Sequence, residues 1–214
     1  MEPNNFNISS ASFEKTINIV NATLDVLKVD VTNEFYFSLS NLLNEINREI
    51  NRINNKDLDL TLLSLTLRNL FELYLITRYV HDDKKAFASW MGQIHKDSAD
   101  VLDGFISLFS KNNLKTDELL EQRKFIDATL EGSDYNSKGH FNIKDIAEKY
   151  DFREDYSAIH KLCSKLVHPT SYKVNSYNAL IADDNYFSIL LFVAVFFCTK
   201  IEELCHEIQD KIQA

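Results

Sequence analysis

Turn formers are scarce in this chain, with 4 glycines and 2 prolines in 214 residues. That scarcity excludes a β-sandwich or barrel strung on tight hairpins and favours long helices. Cysteine is scarce too. Cys163, Cys198 and Cys205 are an odd set, and none stands at C-x-x-C spacing. They read as reduced core residues of a cytoplasmic protein, not as a disulfide framework or a zinc site. Positive charge is in deficit: 23 Lys and Arg stand against 32 Asp and Glu, a net charge of −9. A broad electrostatic nucleic-acid footprint is thereby excluded, while a local basic patch is not. The chain contains no P-loop, dinucleotide fingerprint, nucleophile elbow or HExxH. Its start, MEPNNFNISS, has no basic region and no apolar region, so no signal peptide is expected. The most apolar run, YFSILLFVAVFFC at 186–198, is shorter than the roughly 20 residues of a membrane span, so no membrane is expected.

What remains is ordinary globular material, 45 % hydrophobic and 26 % charged. A chain of 214 residues is long enough for one domain with a sizeable core. The apolar periodicity predicts an all-α fold, a single bundle of about seven helices over residues 1–214. Residues 1–55 carry N-terminal helices, with Ser10 or Ser12 as a first cap and Phe35, Leu39, Leu42, Leu43, Ile46, Ile50 and Ile53 as a second stripe. A third helix, capped by Asp57 or Asp59, is apolar nearly all round and should sit centrally. His81, Asp82 and Asp83 read as its solvated end. Residues 132–139, rich in Gly, Ser, Asp and Asn, read as a long loop. Pro169 should end a helix at or just before His168. Residues 186–212 form a last apolar helix. It and the third helix offer more apolar surface than one small bundle needs, which predicts a homodimer.

Two distant segments carry the polar chemistry. In LTLRNLFE, Arg68 and Glu72 stand four apart on one helix face that Leu65, Ile76 and Tyr79 continue. Charges on a core-facing stripe need partners, because a buried unpaired charge costs several kcal/mol or more. The other segment is YSAIHKLCSKLVHPTSY, residues 156–172, with Tyr156, Lys161, Ser164, Lys165, His168 and Tyr172.

Arg68 with Glu72, the short stretch NIKDIAEKYDF at 142–152, and the Tyr156, Cys163, Ser164, His168, Pro169 pattern together resemble a bacterial helical-bundle family related to the HEPN superfamily. The resemblance covers most of residues 60–175, the family-like core being 57–175. It implies an all-α bundle, often dimeric, and either a metal-independent ribonuclease or an inert scaffold of phage-defence and toxin–antitoxin systems. The family's catalytic pattern is an arginine followed, after four to six residues, by a histidine. His168 would be that histidine. The chain departs from the pattern: Lys161, Leu162 and Cys163 hold the three positions an arginine would take.

Metal-free RNA cleavage needs a group that takes the 2′-hydroxyl proton, one that protonates the leaving oxygen, and a cation on the phosphate. On that basis His168 is the expected acid–base group, at a helix C-terminus whose dipole favours its charged form. Arg68 or Lys161 would hold phosphate and Glu72 would orient Arg68 or His168. Ser164, one turn before His168, would bond to it or to substrate. Tyr156, Tyr172 and Lys165 would contact substrate. The competing expectation is a buried structural network of Arg68, Glu72 and His168 in a non-catalytic interaction or sensor module. Either way no metal or other cofactor is expected, since His95 and His160 lack ligand partners at i+4. The expected partners are a second copy, an RNA substrate, and a protein partner or antitoxin.

Overall fold

The computed structural model describes residues 10–30, 32–55, 58–135 and 141–213. Residues 1–9, Asp57 and residues 136–139, named above, lie outside them. The described residues are helical, without strands. The helices are α1 (Ser10–Leu27), α2 (Glu34–Ile53), α3 (Leu60–Asp82), α4 (Lys84–Lys111), α5 (Asp117–Glu131), α6 (Ile143–Lys149), α7 (Arg153–Val167), α8 (Ser171–Ala182) and α9 (Asp184–Gln213). A short 3₁₀ turn, Lys28–Asp30, follows α1. The chain divides into two compact units, Met1–Arg78 with Ile143–Ala214, and Tyr79–Asn142.

Nine α-helices among the described residues replace the predicted seven or so. The helix that periodicity misses is α8. Leu180 is its one buried residue, while Val174, Tyr177 and Ile181 face solvent. Without a buried stripe there is no 3.6-residue signal to read. Thr170 starts it, its hydroxyl accepting from the Lys173 N–H at 3.2 Å. Ser10 and Ser12 both lie inside α1. Asp59 does start α3, its carboxylate accepting the Leu62 N–H at 2.7 Å.

In the first unit α9 is the axis. Leu190, Ala194, Phe197, Ile201, Leu204 and Ile208 alternate steps of four and three and are all buried. That is the seam spacing of packed helices. Along it α1 runs parallel: Thr16 donates to Glu202 at 2.7 Å, and Gln209 donates to Thr23 at 2.8 Å. The α2 stripe from Leu39 to Ile53 is buried as predicted. Asn69 of α3 donates to Glu49 of α2 at 3.2 Å, and Arg78 of α3 pairs with Glu207 of α9 at 2.8 Å. Among the described residues α3 alone is long and apolar enough to cross a membrane, and 56 % of that apolar window is buried in the protein. It packs as a core helix through Leu63, Leu67, Leu70, Phe71 and Leu75.

The second unit is a helical hairpin of α4 and α5. Asp83 caps α4, accepting the Lys85 N–H at 2.8 Å. Phe141 packs edge-on against Tyr79 and Trp90. His81 is buried, not solvated, with Nδ1 2.8 Å from the Asp82 carboxylate. The helix α3 runs on through Asp82, so His81 belongs to the helix and not to a turn after it.

A chain short of glycine must still reverse direction at helix ends. Here Asn113 (φ 54°) and Asp151 (φ 61°) take the left-handed position that glycine usually fills. After α6 the Phe152 N–H bonds to the Ala147 carbonyl at 2.7 Å and the Asp151 N–H to the Glu148 carbonyl at 3.3 Å. This Schellman pair fixes the angle between α6 and α7.

Candidate functional site: a basic pocket between two helices

That fixed corner makes a pocket. Lys144 of α6 faces Arg153, Tyr156, Ser157, His160 and Lys161 of α7 across a surface cavity of about 320 Å³. The five α7 residues follow i, i+3, i+4, i+7, i+8, one helix face. Glu154 and Asp155, in the first turn of α7, fall off that face and favour the helix dipole instead. The Arg153 guanidinium pairs with Glu148 at 3.0 Å. Ser157 and Lys161 make no hydrogen bond or ion pair with any described residue. His160 only stacks on Tyr156, ring centroids 5.2 Å apart. An acidic protein thus gathers three cations, an imidazole and two hydroxyls around one cavity.

The pocket has a firm back. Phe71 of α3 is buried and touches Tyr156 at 6.2 Å, Phe152 at 6.2 Å and Phe197 at 4.3 Å between ring centroids. Tyr74 adds Phe152 and Phe197. Beside this aromatic cluster, Arg68 Nε donates to Glu72 at 2.9 Å. The pair acts on α7. Burial raises the Tyr156 phenol above its ordinary value, the Glu72 charge adds to this and Arg68 opposes it. Both charges also act on the Cys163 thiol. Tyr156 and Cys163 of α7 therefore lie within electrostatic reach of the pair.

Arg68 and Glu72 do not stand inside the bundle, as a core-facing stripe would require. Their side chains keep 29 % and 25 % of their accessibility, and Leu65 on the same stripe is 41 % exposed. The stripe is the edge of α3, with the buried positions Leu63, Leu67, Leu70 and Phe71 on its other side. Periodicity could not tell edge from centre, because α3 is apolar nearly all round.

His168 ends α7 as Pro169 predicts, with extended backbone (φ −78°, ψ 154°), and its side chain is exposed. It has no hydrogen bond or ion pair to Arg68 or Glu72. Its link to Ser164 is the helix-end bond from the His168 N–H to the Ser164 carbonyl at 3.2 Å. Lys165 is exposed one turn beyond Lys161 and does not line the pocket. The Tyr172 hydroxyl donates to Tyr186 at 2.7 Å, between α8 and α9 and outside the pocket. Of the residues named from sequence, Tyr156 and Lys161 line the cavity; Lys144, Arg153, Ser157 and His160 join them. The α7 members were legible as a polar stripe in REDYSAIHK. Lys144 was not, because it comes from another helix.

No family model, no curated protein and no solved structure matches this chain. The pocket must be understood from its own groups. Three cations with hydroxyl and imidazole donors suit a phosphate or other oxyanion. His160 beside them adds a group able to exchange a proton with a bound ligand.

The three cysteines are core residues. Burial pushes Cys163 and Cys198 up to about 12 and Cys205 up to about 11, from an ordinary 9.0. Unfolded thiols ionise near 9.0 while the folded ones keep their protons. The stability this contributes is whole below pH 9.0 and is lost as pH rises through 11 and 12. Denaturation midpoints should fall over that range, and less steeply when all three cysteines are alanine. Equal slopes in the two proteins would contradict this.

Proposed function

We propose that this is an HEPN-like helical protein that binds RNA at the α6–α7 pocket and cleaves it without metal, with His160 rather than His168 as the acid–base group. The observation that carries the reading is the convergence of Lys144, Arg153 and Lys161 on one cavity with His160 and two hydroxyls, in a chain of net charge −9. RNA is the ligand implied by the HEPN resemblance, and its 2′-hydroxyl supplies the nucleophile. In the reaction the 2′-oxygen bonds to the neighbouring phosphorus and the bond to the 5′-oxygen breaks. His160 takes the 2′-hydroxyl proton and returns a proton to the departing 5′-oxygen. The three cations hold the charge on the phosphate. Arg68 and Glu72 act at one remove, fixing Tyr156 from behind. The same reading makes the protein cytoplasmic, homodimeric through the exposed Ile189, Phe192 and Phe196 of α9, and a part of phage defence or toxin–antitoxin biology.

A non-catalytic RNA-binding or interaction module is the second reading. It is favoured by one observation: Arg68 is engaged by Glu72, and His168 stands apart from both. Incubating RNA with the full chain in EDTA separates the two. The enzyme predicts cleavage that survives chelation, falls by about 10²–10⁴ in His160→Ala, and persists in His168→Ala. Binding without cleavage by the wild type would select the module. Loss in His168→Ala alone would move the chemistry out of the pocket.

A further inference from the structure

The α4–α5 hairpin carries a second surface of a different kind. On α4, Ile94, Ser98, Val101, Phe105 and Leu108 alternate steps of four and three, the spacing of the buried α9 seam. Here the four apolar members are exposed: Ile94 57 %, Val101 58 %, Phe105 49 %, Leu108 51 %. A seam of that spacing fits a helix laid along it.

Beside the seam lies α5, which buries none of its residues. Val101 and Ser98 of α4 and Gln122 and Ile126 of α5 line a groove of about 450 Å³. Phe125 of the same helix is 73 % exposed, a large ring left in water. Apolar faces on this scale mark places where another molecule sits.

Charge says which molecule. Asp97 lines the groove on the α4 side. On α5, Glu118 is one turn before Gln122, on the same face, and Glu121 borders that face. The cations of α5 do not offset them. Arg123 is engaged by Asp103 at 3.0 Å and by Asp127. Lys124 is two residues from Gln122, on the far side of the helix. The groove is therefore an apolar floor between acidic rims. A second copy laid on it would set acid against acid, and an acidic helix would be repelled in the same way.

We infer that this groove docks an amphipathic helix of a protein partner, one whose apolar ridge is flanked by lysine or arginine. The seam takes the ridge and Asp97, Glu118 and Glu121 take the flanking cations. The surface is independent of the α6–α7 pocket, whose positive charge would turn such a helix away.

The test uses the full chain and two labelled heptad peptides, both with leucine at the seam positions, one flanked by lysine and the other by glutamate. Fluorescence anisotropy should show saturable binding of the lysine peptide alone. Val101→Asp and Glu121→Lys should each weaken it about tenfold, the loss typical of a central apolar anchor or a facing charge. Both positions are exposed, so unchanged circular dichroism should accompany the loss. Lys161→Ala should leave it unaltered. Equal binding of both peptides, binding of neither, or indifference to both substitutions would overturn the inference. So would a wild-type dimer by light scattering that Val101→Asp splits, since the occupant would then be a second copy.

Discussion

Reversing the charge of Lys144 and Lys161 together should weaken RNA binding by about a hundredfold or more. Each lysine would make a charge-assisted hydrogen bond to phosphate, worth about 1.5–3 kcal/mol, and every 1.4 kcal/mol is tenfold. Glutamate at those positions adds repulsion to the loss. The variant should also show a shallower salt dependence, by about 0.7 in the logarithmic slope for each single-strand phosphate contact removed. Both side chains are exposed, so the melting temperature should barely move. Lys165→Glu is the control: it is equally exposed and one turn away, but outside the pocket. A uniform effect of all three lysines would mean diffuse attraction, and an unchanged slope would remove phosphate from the pocket altogether.

The second large effect is on stability. Phe71→Ala should destabilise the protein by about 3–5 kcal/mol, the usual loss for a buried phenylalanine. Phe71 is 1 % exposed and its ring contacts Phe152, Tyr156 and Phe197, so no single neighbour can collapse into the space. Thermal melts should show the loss directly. Phe125→Ala, at 73 % exposure, should stay within about 0.5 kcal/mol. The Phe71 variant carries a further consequence. Tyr156 lines the pocket and rests on that ring, so RNA binding should weaken even where the variant remains folded. Binding unchanged in a folded Phe71→Ala protein would separate the core from the pocket.

Two helix ends were legible because they depend on chemistry within a few residues. Asp59 starts α3 by accepting a nearby N–H, and Pro169 stops α7 by what its ring forbids at His168. The α8 helix escaped because its apolar residues do not gather on a buried face. The polar site was half legible. Arg68 and Glu72 pair as an i, i+4 spacing predicts, and their charges reach Tyr156 and Cys163 of α7. What spacing could not supply was the turn at Asp151, which swings Lys144 of α6 opposite Lys161 of α7 and so builds the cavity.

By itself the sequence determined the helical class, the acidic balance, the apolar stripe of α2, the apolar run of α9 and the apolar character of its three cysteines. Those follow from composition and from periods of a few residues, which act along one helix at a time. The tertiary structure decided the rest: that the Arg68 edge of α3 is half-exposed, that His168 stands outside the basic pocket, and that the α4 seam faces water while the α9 seam of the same spacing is buried. A stripe records that a helix has an apolar face. Only the packing of other helices determines whether that face is covered, and by what.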